Sequence, residues 1–181
     1  MKFRSAILVM SMLLLTACAA TVKKDTTDAA IKLPRGASSK LVLNVGGTTA
    51  SLNSSDWEAF KLEWKEKFAE QAKLAGTAFE MQDGPAKPTG QNGTLLSVYV
   101  EDYRFMRPGV RYAVGVFGGN AFIESKLTFS DLKSGVAYGS QTANTSSSAW
   151  QGVFSAMTNK QVEAIAASVF KQLNESNTST R

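Results

Sequence analysis

From Leu95 to Thr142 the sequence keeps a two-residue rhythm, interrupted only where glycines and prolines turn it, and a stretch of that kind folds as a β-meander. Leu95 to Phe105 is long, and Val98-Tyr99-Val100 is apolar on both faces, as a central strand requires. Arg107-Pro108-Gly109 turns the chain, Tyr112, Val114 and Val116 alternate with small residues, and Gly118-Gly119-Asn120 turns it again. Ile123, Ser125, Leu127 and Phe129 then point one way, and Glu124, Lys126 and Thr128 the other, which describes a half-exposed strand. Asp131 to Gly135 reads as a hairpin turn and Val136 to Thr142 as the returning strand. The Ser/Thr/Asn-rich stretch Thr142 to Ser148 reads as a loop.

A β-α-β unit precedes the meander and a helix follows it. Leu41 to Val45 is a short apolar strand stopped by Gly46-Gly47. Ser55-Asp56-Trp57-Glu58 has the form of a capping box, and Trp57, Phe60, Trp64, Phe68, Ala72 and Ala75 recur at helical spacing up to Gly76. Glu63 and Lys67 stand in the favourable i,i+4 order on the outer side of that helix. Thr77 to Gln82 reads as a second strand, and residues 84–93, with two prolines and three glycines, as a loop. A second capping box, Thr158 to Gln161, starts a helix whose stripe is Val162, Ile165, Ala166, Val169, Phe170 and Leu173. The expected fold is α+β: a mixed or mostly antiparallel β-sheet with helices packed on one face, in the order β-α-β-β-β-β-β-α. One domain over residues 40–173 accommodates it, with 174–181 as a disordered tail.

The start of the chain speaks to location. Lys2 and Arg4 precede an apolar run of ten residues, Ala6 to Leu15, too short to span a bilayer, and Leu15-Thr16-Ala17-Cys18 follows at once. These four residues resemble the bacterial lipobox. The resemblance implies cleavage after Ala17, a diacylglycerol thioether on Cys18 and acylation of the new amino group. It divides the N-terminal region into a signal peptide, 1–17, and an acylated cysteine with a flexible tether, 18–39. Fully extended, that tether would reach roughly 70–75 Å. Ala19 after the cysteine, where the enterobacterial retention pattern has Asp, implies the inner leaflet of the outer membrane, with the domain facing the periplasm. An ordinary secretory signal cut at Ala17-Cys18-Ala19 is the plainer alternative, disfavoured because Cys18 is the only cysteine in the sequence.

Composition narrows the chemistry. With no histidine there is no Ser-His-Asp or Cys-His catalysis, no His-ligated metal and no imidazole switch. One cysteine allows neither an internal disulfide nor a CxxC site. Loss of Lys2 and Arg4 with the signal peptide takes the net charge from +5 to +3, too mild and too scattered for a nucleic-acid partner.

Gly115 to Gly135 reads GVFGGNAFIESKLTFSDLKSG: a glycine-rich turn, an alternating strand, an Asp and a Lys-Ser-Gly turn. This is similar to a family of uncharacterised bacterial lipoproteins catalogued as a domain of unknown function. In element order alone, the chain resembles small periplasmic α/β lipoproteins such as the activators of penicillin-binding proteins and the curli-secretion lipoprotein. The resemblance implies action by binding or assembly and brings no catalytic residues with it.

Several candidate sites follow. Gly115 to Asn120 lacks the Lys-Ser/Thr of a P-loop and is followed by a strand, so it reads as a turn. Glu101 and Asp102 are neighbours on a strand and should face opposite sides, and Asp131 closes a hairpin. No D-x-D-x-D-G loop offers a calcium site, and neither a metal nor any other cofactor is expected. Tyr103, Arg104, Arg107, Arg111 and Tyr112, with Phe105, form the basic-aromatic cluster taken as the candidate contact surface. Arg forks beside aromatic rings suit carboxylate- or phosphate-bearing partners, such as lipid A head groups or peptidoglycan stems. The bland reading is a solvated strand-turn-strand whose arginines discourage edge pairing. Trp57, Trp64 and Phe68 belong to a core, whereas Trp150, beyond a polar loop, could anchor a partner or cap the core.

The functional expectation is a membrane-anchored lipoprotein acting as a non-catalytic binding or assembly factor in the cell envelope. Its expected partners are the membrane, through the lipid on Cys18, and an envelope protein or peptidoglycan. The alternatives are a carboxylate-dependent peptidoglycan hydrolase and self-assembly into a ring.

Overall fold

Leu41, Leu43 and Val45 project to one side of the first long strand and Val42 to the other, and all four are buried, so that strand needs cover on both faces. The computed structural model, which describes residues 22–23, 31–105, 121–146 and 158–178, supplies it. Its elements are β1 (Val22–Lys23), β2 (Lys40–Gly47), α1 (Thr49–Leu52), α2 (Trp57–Ala75), β3 (Ala78–Gln82), β4 (Thr94–Arg104), β5 (Phe122–Asp131), β6 (Ala137–Ser146) and α3 (Thr158–Thr178). They form one mixed sheet in the order β1-β6-β5-β4-β2-β3. β2 pairs in parallel with β3 and β4, while β4–β5, β5–β6 and β6–β1 are antiparallel. The α+β class and the helices on one face of the sheet are as the sequence implies; the strand expected at Tyr112 to Val116 lies outside the described residues.

α2 spans β2 and β3, and α3 spans β5 and β6. Between helices and sheet lie Phe60, Trp64 and Phe68 from α2, Val162, Ile165, Val169 and Phe170 from α3, and the inward residues of β2, β4 and β5. Trp64 stacks on Phe68 at 5.6 Å, and Phe68 meets Phe170 at 6.1 Å, which joins the two helices through one aromatic side chain. Gly76 ends α2 in the left-handed region at φ 66°, where its N–H and that of Thr77 close on the Lys73 and Ala72 carbonyls.

The opposite face is half covered. The β3–β4 connection crosses it, Thr89 N–H bonding the Leu132 carbonyl at 2.9 Å. Under it lies a second small cluster, Val42, Leu95 and Leu132. Beyond that cover the described residues leave the face open, with Tyr99 at 49% exposure opposite Lys126 in register.

Local structure departs from the sequence pattern mainly at caps and at one strand end. Asp56, not Ser55, is the N-cap of α2, and its side chain makes no cap bond. Glu58 pairs with Lys61 at 3.1 Å, so the first capping box does not form. Gln161 leaves its box as well: it is 1% exposed, and its amide donates across the core to the Ala121 carbonyl at 2.8 Å. Lys67 is held by Glu70 at 2.9 Å and also feels the charge of Glu63, one turn before it. Asn144 and Thr145, read as loop, lie inside β6, which runs on to Ser146.

Both ends of the expected domain also move outward. Ala37 is 2% exposed, Ile31 and Leu33 pack on the core, and Val22–Lys23 add a strand to β6. Much of the segment taken as tether therefore belongs to the fold. At the other end α3 continues to Thr178, through residues assigned to the tail.

Candidate functional site

The candidate contact surface begins at the end of β4, where a bulge decides everything. Up to Val100 the strand alternates strictly, with Leu96, Val98 and Val100 facing the helices. The register with β5 then slips between Val100 and Asp102. One extra residue reverses the parity, so Tyr103 and Phe105 turn toward the helices and Arg104 turns away. Glu101 and Asp102 are both exposed, and the alternation expected to separate them is broken at that point.

Tyr103 consequently serves the core and is withdrawn from the surface it was expected to line. Its ring stacks on Phe60 at 4.1 Å and 12°, with Trp57 at 6.0 Å. Its hydroxyl donates to Asp56 Oδ1 at 2.6 Å, and the same oxygen accepts from Ser54 at 2.7 Å. Burial, reinforced by the Asp56 carboxylate, pushes the Tyr103 phenol up to about 12. This explains why Asp56 does not cap α2: its carboxylate is spent on Tyr103.

Arg104 remains exposed, its guanidinium 5.7 Å from the centre of the Phe122 ring on the neighbouring strand. Arg107, Arg111 and Tyr112 lie outside the described residues, as do Cys18, Trp150 and Gly115 to Asn120. Of the expected cluster, then, the structure places Tyr103 and Arg104, and places them on opposite faces of the sheet.

At the other end of the sheet is a cleft that the sequence did not suggest. A volume of 380 Å³ opens between Arg35, Ser39, Asn92, Asp131, Lys133 and Tyr138. Pro34-Arg35-Gly36 forms its rim as a turn, with Gly36 at φ 82°. A proline two residues before a glycine, just ahead of an apolar strand, is the signal that could have marked it as structure and not tether. Ser134 donates to Asp131 at 2.7 Å and the Lys133 N–H at 3.1 Å, which holds the Asp131 carboxyl below its ordinary range. Such a group is a poor proton donor near neutral pH.

Other carboxylates are also engaged with the scaffold: Glu80 with Lys40, Asp83 with Lys61, Glu163 with Lys160. Among the described residues, no three His, Cys, Asp or Glu side chains converge as metal ligands. No helix among them is long and apolar enough to cross a membrane.

A mixed sheet with two long helices on one face and a crossing loop on the other defines a class of α+β scaffold. Two solved structures were found similar to it. A single-substitution form of the PelC dodecamer from Paraburkholderia phytofirmans aligns with a TM-score of 0.50 at 15% identity, over 82% of this chain and 96% of that one. Protein XCC0632 from Xanthomonas campestris, of the DUF330 family, aligns with a TM-score of 0.47 at 11% identity, over 89% and 95%. At 15% identity the likeness to PelC is one of fold. No family model matches the chain, and no curated protein matches it.

Proposed function

We propose that this chain is a bacterial lipoprotein, anchored through Cys18 in the inner leaflet of the outer membrane, whose domain assembles with copies of itself or with another envelope component without catalysis. The observation that carries the assembly half is the shared fold with PelC, which is a dodecamer. The described part of the scaffold suits that role. It is held by a continuous aromatic core, it leaves half of one sheet face open, and it ends in β3, an edge strand of five residues. The anchor half rests on Leu15-Thr16-Ala17-Cys18 after the apolar run, and on that cysteine being the only one.

Two measurements test the two halves separately. Labelling with radioactive palmitate should mark the wild-type chain and leave a Cys18→Ser variant unmarked; label retained by the variant ends the anchor reading. Native mass spectrometry of the domain should show a discrete oligomer. A monomer at tens of micromolar, with no envelope component captured by crosslinking in intact cells, ends the assembly reading.

A further inference from the structure

The anchor and the sheet are much closer than a flexible tether would allow. β1 pairs antiparallel with β6, Val22 opposite Thr145 and Lys23 opposite Asn144. Only Ala19, Ala20 and Thr21 separate Cys18 from Val22. Four residue steps reach at most about 14 Å, against the 70–75 Å of a free 18–39 segment.

The register also says which end of the domain this short leash leaves from. Thr145 lies opposite Ile123, and Ile123 opposite Tyr103, so Val22 stands in the row next to Arg104 and Phe122. Because β1 runs antiparallel to β6, Val22 is the residue of β1 nearer that end of the sheet. α1 follows β2 at the same end, since Gly47 pairs with Val100, and it leaves Leu52 at 47% exposure. The cleft lined by Arg35, Asp131 and Lys133 lies at the far end of β5, about 30 Å away at the rise of a ten-residue strand.

We infer that the domain rests on the bilayer with the Arg104–Phe122 end of its sheet against the lipid surface, leaving the Arg35–Lys133 cleft pointed away from the membrane. The inference rests on lipidation of Cys18. Among the described residues, Arg104 at that end is outnumbered by exposed Glu101, Asp102 and Glu124, so they supply no basic patch to carry the contact. The leash sets it.

The test couples the mature chain, residues 18–181, through Cys18 to maleimide lipids in vesicles of phosphatidylethanolamine and phosphatidylglycerol. Backbone hydrogen exchange on these vesicles is compared with that of the uncoupled protein. Amides of Phe122 to Lys126 should slow several-fold, while those of Asp131 to Ala137 stay unchanged. The slowing should survive about 1 M salt, where charges are screened beyond about 3 Å. A flexible insert of twenty Gly/Ser residues between Cys18 and Val22 should abolish it. Equal slowing at both ends, slowing confined to 131–137, or indifference to the insert would overturn the inference. Mass spectrometry of Cys18 from cells reports separately on the acyl chains, so a failed anchor and a wrong orientation give different results.

Discussion

The two faces of the sheet are made from the same strands and yet answer to different physics. On β4, Leu96, Val98 and Val100 are at most 2% exposed beneath the helices, while Tyr99 between them is 49% exposed on the open side. On β5, Ile123, Leu127 and Phe129 are buried and Glu124 and Lys126 are exposed. One face is fixed by close packing and tolerates little. Among the described residues the other is only partly covered, over Val42, Leu95 and Leu132, and its exposed side chains leave room for contact.

The sharpest way to break that contrast is a pair of truncations. Phe68→Ala removes a side chain with no exposure that bridges α2 and α3, and should cost about 3–5 kcal/mol in chemical denaturation. Tyr99→Ala on the open face should cost within about 0.5 kcal/mol. Comparable losses for the two would mean that the open face is covered in the assembled protein.

The helix-covered face was also the part that could be read in advance. The stripe from Trp57 to Ala72 and the alternation of β4 and β5 are burial periodicities, and burial is what residue type reports. Caps, a bulge and a β-edge depend instead on which polar group finds which partner. Asp56 goes to Tyr103, Gln161 to Ala121, and Gln141 to a reciprocal amide pair with Gln172 at 3.0 and 3.1 Å. That last pair shows why polar Ala137 to Ser146 could still be a strand: Gln141, only 8% exposed, is satisfied by α3. The bulge at Glu101 is of the same kind: residue type does not mark it, yet it turns Tyr103 toward the helices.

Inserting one glycine between Asp102 and Tyr103 tests that point directly. The added residue would reverse the parity once more and turn Tyr103 and Phe105 to the open face and Arg104 to the core side. Both aromatics are half-buried, so losing their contacts with α2 should cost about 2–3 kcal/mol in urea melts. Unchanged stability would show that β4 re-bulges elsewhere.

Tyr103→Phe is a finer cut, since it keeps the stack on Phe60 and removes only the hydroxyl on Asp56. The expected loss is about 1 kcal/mol at neutral pH. Its clearer signature is alkaline. The folded protein holds the Tyr103 proton up to about 12, against an ordinary value of 10.0. The folded state therefore binds more protons than the unfolded between those values, and stability is full below pH 10 and falls through that window. The variant should lose Tyr103's share of the fall; Tyr138, also shifted upward, keeps its own. An identical alkaline decline in variant and wild type would place Tyr103 in solvent.

The smallest effect separates stability from contact. Arg104 is exposed and touches the ring face of Phe122, an arrangement worth about 0.5–1 kcal/mol at a surface. Arg104→Ala should accordingly lower thermal stability by no more than that. If the leash alone holds this end of the sheet at the bilayer, the same variant on Cys18-coupled vesicles should keep the slowed exchange of Phe122 to Lys126. If the guanidinium binds head groups, the protection should shrink with the charge and with salt. Arg104 would then be a lipid contact in its own right, and the open face a charged surface.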